Sequence, residues 1–258
     1  MIDFEFAMKY FKEYLNNFDH ENGKIDLKIR HTYGVVRASE YIANKLKLSD
    51  EEIELAKLIA LLHDIGRFEQ VKQFNSFIDI KSIDHALLGI DILFQQNLIR
   101  NFVEDNQYDN IIYKAILNHN KYEIEKGLDD IELMYAKIIR DADKIDIFRV
   151  KVEEDFANII DNTNREILEN DTLSENIYND FMNSRLIVDG DRKTDLDIWT
   201  SHIAYIFDFN FKFGLEYIKE NDYINMIINR LDYKKNETKQ KMENIRKHAI
   251  EYIDNRLI

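Results

Sequence analysis

The sequence predicts an all-α fold, and two of its features lead to this prediction. The 258 residues include no proline and only seven glycines, the two residue types that interrupt helices most strongly. Apolar residues recur at intervals of three and four residues, which is the spacing of one helix face. A hydrophobic content of 45% is ample for a buried core. We expect a helical core over residues 1–150 and a C-terminal helical extension over 151–258, packed on the core as one globular unit.

The first elements are expected to be three helices. Residues 3–18 have an apolar helical face, and a second helix is expected from about residue 27 to residue 46. His31 lies in the first turns of this second helix. Ser49 and Glu52 have the spacing of a capping box, which predicts that a third helix begins there.

This third helix has an unusual end. The apolar stretch 58–62 runs directly into His63 and Asp64, and Gly66 is expected to terminate the helix. A buried carboxylate is costly unless a cation or hydrogen-bond donors compensate it. A bound metal ion is the simplest compensation, and a helix that merely ends in polar residues is the alternative.

Two further histidines lie at the ends of predicted helices. Residues 67–81 are expected to form a loop, after which Ser82 would cap a helix with His85 in its first turn. The apolar segment 108–118 is expected to be helical, and His119 follows it directly. Each of these histidines alone could be a packed core residue. Together with the earlier ones they suggest a metal site.

A long helix from about residue 131 carries three acids within an apolar pattern. Asp141, Asp143 and Asp146 interrupt a segment whose other residues read as buried, so one inward side of the helix is expected to be polar. The closing segment of the chain also reads as a helix, and its apolar stripe comprises Met242, Ile245, Ala249 and Ile253.

Composition restricts the classes of function. The formal net charge of −14 argues against a nucleic-acid duplex as partner, and an anionic substrate would need a metal and a local basic cluster. The absence of cysteine excludes disulfides and thiolate ligands. No apolar run approaches the roughly 20 residues of a membrane span, and the first residues lack the pattern of a signal peptide. We therefore expect a cytoplasmic protein with no membrane partner.

The order of His31, then His63 and Asp64, then a distal Asp143 resembles the HD-domain superfamily of metal-dependent phosphohydrolases. The resemblance covers about residues 25–150 and implies an HD-type helical bundle. It implies that these four side chains hold a first metal ion. Asp141 is the alternative for the last ligand, although the family pattern Ala-Asp-x-x-Asp aligns better with the segment that starts at Ala142.

The resemblance extends to His85 and His119, which occupy the places where two-metal members of the superfamily have further ligands. Dinucleoside polyphosphate hydrolases are the most similar in this respect. A two-metal centre is favoured, and Asp64 would bridge the two ions. The alternative is a single ion, with His85 and His119 contacting the substrate. Imidazole and carboxylate ligands suit one or two ions of Mn, Fe, Co, Ni, Mg or Zn.

The function that the resemblance implies is hydrolysis of a phosphate ester or anhydride, in a nucleotide, by a metal-activated water. Asp64 and Arg67 would be catalytic. Arg67 and Lys144 would bind the phosphorylated substrate, since Arg67 lies four residues after His63 and could clamp a phosphate bidentately. A di-iron oxygenase and a non-catalytic regulatory module that binds metal or nucleotide are the alternatives. The C-terminal extension would cover the site or form a homo-oligomer interface.

Overall fold

The predicted fold class is confirmed. The computed structural model describes residues 2–258, and over this range the chain forms helices and connecting segments with no β-strand. Its internal contacts divide it into two compact units, one ending at Asp146 and the other comprising Ile147–Ile258. The division falls inside one long helix, close to the predicted boundary at residue 150. That the extension packs on the core remains a prediction.

The first unit is built from six helices and the greater part of a seventh. They are α1 Phe4–Leu15, α2 Gly23–Lys45, α3 Asp50–Leu62, α4 Ile65–Phe74, α5 His85–Ile90, α6 Asp109–Asn118 and α7 Asp130–Glu153. A π-helical turn, Asp91–Gln95, follows α5 directly, and short 3₁₀ segments occupy Asp79–Lys81 and Leu98–Asn101. Helix α2 packs on α3, α4 packs on α5, and α5 packs on α6.

The second unit contains seven further helices. They are α8 Phe156–Ile159, α9 Arg165–Asn170, α10 Glu175–Met182, α11 Asp195–Ile203, α12 Lys212–Glu220, α13 Tyr223–Asn229 and α14 Asn236–Leu257. The apolar stripe predicted for the closing segment is the buried face of α14. Helix α14 packs against α10, α12 and α13. In the described range 2–258, no helix has the length and apolarity that a membrane crossing requires.

The start of α3 agrees with the prediction, because the capping box is formed. The Ser49 hydroxyl accepts the backbone N–H of Glu52, and the Glu52 carboxylate accepts the N–H of Ser49 at 2.7 Å. This pairing satisfies two of the N–H groups that a helix start leaves without a partner.

The segment after α3 differs from the prediction. Gly66 does not terminate a helix and residues 67–81 are not all loop, because α4 begins at Ile65 and runs to Phe74. The helical path is interrupted instead at Asp64, where φ is −108° and ψ is 19°. The predicted cap of the next helix is also wrong. Asp84, rather than Ser82, accepts the first N–H groups of α5.

The glycine at position 66 serves a close approach between helices. A Cβ atom there would lie 2.2 Å from the carbonyl oxygen of His85 and 2.6 Å from the backbone nitrogen of Gly89. Such distances are far below van der Waals contact, and both colliding atoms belong to the backbone of α5. Gly66 therefore allows α4 to pack tightly on α5, which fixes the position of His85.

We predict that Gly66→Ala lowers the free energy of unfolding by about 1–3 kcal/mol, the usual cost of overpacking a tightly filled contact. Chemical denaturation followed by circular dichroism measures the change. Gly190→Ala is the matched control, because a Cβ atom there would meet nothing within 4 Å, and its effect should stay below about 0.5 kcal/mol. Wild-type stability of Gly66→Ala would contradict this close packing.

Candidate metal centre

The six side chains predicted as metal ligands lie together in the first unit. All are at or near helix ends except two, which lie within α2 and α7. Five are at most 6% exposed, and the Asp143 side chain is 19% exposed. Their positions are His31 on α2, His63 and Asp64 between α3 and α4, His85 at the start of α5, His119 just after α6, and Asp143 on α7.

The carboxylate of Asp64 lies at the centre of the four imidazoles. Its Oδ2 atom is 3.7 Å from Nε2 of His31 and 3.5 Å from Nε2 of His63. Its Oδ1 atom is 3.4 Å from Nε2 of His85 and 3.7 Å from Nε2 of His119. Each carboxylate oxygen thus faces one pair of imidazoles, which is the arrangement of a carboxylate that can bridge two cations.

Two of the imidazoles are oriented by backbone carbonyls. Nδ1 of His63 donates to the carbonyl oxygen of Ala60 at 2.7 Å, and Nδ1 of His119 donates to that of Ile116 at 2.6 Å. A carbonyl oxygen only accepts, so the ring proton belongs on Nδ1 in both residues. Nε2 of each ring consequently presents a lone pair toward Asp64.

The other two imidazoles are oriented by carboxylates. Nδ1 of His31 lies 2.8 Å from Oδ2 of Asp146, and Nδ1 of His85 lies 2.6 Å from Oδ2 of Asp79. Gly34 makes room for the first pair, since a Cβ atom there would lie 1.8 Å from the Asp146 carboxylate. A carboxylate behind a histidine fixes the ring and raises its basicity as a ligand, as is usual in metal sites.

The residues present fit a divalent metal. Among residues 2–258, Nε2 of His63 is buried without a hydrogen-bond partner, and Nε2 of His31 makes no hydrogen bond although the Asp143 carboxylate lies 3.0 Å away. Nε2 of His85 and Nε2 of His119 lie only 3.0 Å apart, and with both ring protons on Nδ1 their lone pairs face each other. Convergent buried lone pairs are unfavourable unless a cation lies between them. Nitrogen and carboxylate donors together suit the transition metals and zinc.

The pKa shifts of His63, His85 and Asp64 agree with ligation by neutral imidazoles and an ionised carboxylate. Burial lowers the pKa of His63 to about 4, and burial together with Arg67 lowers that of His85 to about 3. Burial opposes ionisation of Asp64, but Lys28 and His63 outweigh it and hold its pKa well below the usual range. Because a metal ligand must be deprotonated, these groups are already in the required state near neutral pH. At His31, burial and Lys28 oppose protonation, but Asp143 and Asp146 outweigh them and raise its pKa.

The acid of α7 that faces the imidazoles is Asp143. Its Oδ1 atom lies 3.0 Å from Nε2 of His31 and 3.9 Å from Nε2 of His63. The alternative, Asp141, is fully buried and lies two residues earlier, about 200° around the helix. The geometry therefore supports Asp143 as the predicted last ligand.

Lys28 also reaches the centre and was not predicted from the sequence. Its Nζ atom lies 2.7 Å from Oδ2 of Asp64, and its side chain is 14% exposed. It precedes His31 by three residues on α2, so helical spacing alone could have placed it on the same face. Asp79 was not predicted either. It lies in the connection between α4 and α5, and nothing local indicates that it reaches His85.

Of the two cations predicted to bind substrate, Arg67 lies near Asp64, and Lys144 is buried on α7. Nη1 of Arg67 donates to Oδ1 of Asp79 at 2.6 Å, and Nε of Arg67 lies 3.7 Å from Oδ1 of Asp64. Nζ of Lys144 donates to the carbonyl oxygen of Arg140 at 3.3 Å within α7. Their binding of a phosphate remains a prediction.

We predict that Asp79→Asn weakens binding of the metal ion held by His85 about 10- to 100-fold, since it removes the charge that supports this ligand. Calorimetric titration of the metal-free protein with Mn²⁺ measures the affinity. Asp26→Asn is the control, because Asp26 is 45% exposed and pairs with Arg30 on the surface of α2. If Asp79→Asn and the control bound Mn²⁺ equally well, the orienting role of Asp79 would be wrong.

Comparison with known proteins agrees with this geometry. Residues 29–147 match the family model of the HD domain, a segment that contains all six ligand candidates. The chain has no significant match among curated proteins and none among solved structures. The match covers slightly under half of the chain and identifies residues 29–147 as an HD domain.

Proposed function

We propose that the protein hydrolyses a phosphate ester or anhydride bond in a nucleotide, with two divalent metal ions. One observation carries the proposal: the two oxygens of the buried Asp64 carboxylate each face a separate pair of imidazole Nε2 atoms. One ion would be held by His31, His63, Asp64 and Asp143, and the second by Asp64, His85 and His119. Bound ions would lower the pKa of a water and stabilise charge on the phosphoryl oxygens.

The chain itself would supply the cations that attract the substrate. The protein carries a net charge of −14, so a phosphate reaches the site only if local positive charge reverses this field. Lys28 places an ammonium group at Asp64. Nε of Arg67 is buried near the same carboxylate and has no hydrogen-bond partner within residues 2–258, which leaves one N–H group for a phosphate oxygen. We propose that both contact the phosphate.

An aromatic ring beside these cations supports a nucleotide as the substrate. The ring centroid of Phe77 lies 5.2 Å from Nζ of Lys28 and 5.9 Å from the guanidinium carbon of Arg67. Phe77 is partly exposed. A partly exposed ring next to two cations can stack a base while the cations hold the phosphate, as is common where proteins bind unpaired nucleotides.

The other readings of the site make different predictions. A di-iron oxygenase would use the same ligands but would consume O₂ and would not hydrolyse a nucleotide. A regulatory module would tolerate the loss of ligands, whereas all six predicted side chains are present in one cluster. Both enzymes would use the whole cluster, and the hydrolase is favoured because Lys28 and Arg67 add cations that would bind a phosphate.

We predict that protein reloaded with Mn²⁺ releases phosphate or a nucleoside monophosphate from at least one member of a nucleotide panel that includes dinucleoside polyphosphates. Asp64→Asn should lower kcat/KM at least about a hundredfold, since metal stabilisation of the transition state is worth several kcal/mol. Phosphate release and chromatography of the products measure the reaction.

Asp26→Asn serves as the control and should keep the wild-type rate. Full turnover by Asp64→Asn would refute the proposed centre. O₂ consumption by the iron-loaded protein, without hydrolysis of any nucleotide, would favour the oxygenase instead.

A further inference from the structure

The second unit contains a cavity of about 320 Å³ that lies outside the HD domain. It is formed by the end of α13, the connection that follows it, the first turns of α14 and Arg165 at the start of α9. The α14 residues that line it recur at intervals of three and four, so they share one helix face: Lys239, Met242, Glu243 and Arg246. The volume is at the lower end of the range for small-molecule sites.

The lining is rich in positive charge although the protein is strongly acidic. Four cationic side chains line the cavity, against two carboxylates. The cations are Arg165, Arg230, Lys239 and Arg246, and the acids are Asp232 and Glu243. Because the whole chain carries a net charge of −14, this cluster opposes the overall field and marks a local preference for anions.

The two acids of the lining are already paired. Oδ2 of Asp232 lies 2.7 Å from Nζ of Lys234, and Oε2 of Glu243 lies 2.9 Å from Nε of Arg246. Asp232 therefore neutralises Lys234, which lies outside the lining, and Glu243 neutralises Arg246, which is one of the four lining cations. Three cations remain for a ligand.

These three cations have weak or no carboxylate partners. Within the part of the chain that the structure describes, no carboxylate lies within ion-pair distance of Arg230 or Lys239. The nearest carboxylate to Arg165 is that of Glu169, at 3.7 Å. The Arg230 guanidinium is held in place by the carbonyl oxygens of Lys151 and Glu154. Burial and the neighbouring charge of Arg165 lower the pKa of Arg230, and the more distant charges of Asp155 and Glu154 offset only part of this shift.

A buried hydroxyl at the cavity also lacks a partner. Tyr233 is 7% exposed, and among residues 2–258 its Oη atom has no hydrogen-bond partner. Burial raises the pKa of Tyr233, so the phenol keeps its proton and can donate it to an anion. The segment that carries Tyr233 is fixed on α9, since the N–H groups of Asp232 and Lys234 donate to Glu169 at 3.0 and 2.8 Å. The wall of the cavity is thus formed before any ligand binds.

We propose that this cavity binds a small phosphate monoester. Arg165, Arg230 and Lys239 would hold the phosphate, and guanidinium groups match phosphate oxygens in charge and geometry. The organic part would contact the apolar lining, which comprises Ile228, Leu231 and Met242. This proposal does not depend on the reaction proposed for the HD domain.

The test is calorimetric titration of the full chain, in EDTA, with phenyl phosphate, inorganic phosphate and phenol. Phenyl phosphate should bind more tightly than inorganic phosphate, and phenol should not bind. Arg165→Gln and Lys239→Gln should each weaken the binding of phenyl phosphate about tenfold, the usual effect of losing one charge-assisted contact. Both side chains are exposed, so these variants should fold. Tyr233→Phe should weaken binding a few-fold.

Lys212→Gln is the matched control, because Lys212 is 62% exposed and pairs with Glu216 on α12, outside the cavity. It should bind phenyl phosphate as the wild type does. No binding by the wild type, equal binding by all variants, an equal loss in the control, or equally tight binding of phenol would each overturn the proposal. A phosphate held in the HD domain instead would be insensitive to Arg165→Gln and Lys239→Gln.

Discussion

The buried carboxylate of Asp64 is the constraint on which the first unit depends. An ionised carboxylate that is 3% exposed is strongly unfavourable unless cations or donors surround it, and here four imidazole nitrogens and the Lys28 ammonium do so. Three of the imidazoles, those of His63, His85 and His119, lie at helix ends, where a polar side chain does not interrupt the apolar face that packs in the core. The interruption at Asp64 between α3 and α4 places the carboxylate where α2, α5, α6 and α7 can all reach it.

The precision of the centre comes from residues that do not face the proposed ions. Asp79 and Asp146 hold the Nδ1 sides of two imidazoles, and carbonyl oxygens hold the other two. Gly34 leaves room for the Asp146 carboxylate, and Gly66 allows α4 to pack closely on the backbone of α5, which carries His85. The same arrangement makes all four Nε2 atoms converge on Asp64 and leaves those of His63, His85 and His119 unprotonated. Buried lone pairs without a partner cost free energy, so their convergence indicates a bound metal ion.

The sequence was sufficient to predict the all-α class, the capping box of α3 and the cluster of six ligand candidates. These features depend on helical spacing and on local patterns. Asp79 could not be predicted, because its contact with His85 depends on how the connection between α4 and α5 folds back. The prediction that Gly66 terminates a helix is wrong for the same reason. A glycine after a helix is usually a terminator, and only the packed structure shows that Gly66 allows α4 to approach α5 closely. The cavity of the second unit joins α9 to α14, which no local pattern relates.

Anomalous scattering from crystals of the full chain grown with Mn²⁺ tests the central claim most directly. A bridging Asp64 predicts two anomalous peaks, one within coordination distance of Nε2 of His31 and His63, and one within coordination distance of Nε2 of His85 and His119. Both peaks would also contact the Asp64 carboxylate. Crystals that bind Mn²⁺ elsewhere but show no peak beside Asp64 would contradict the claim.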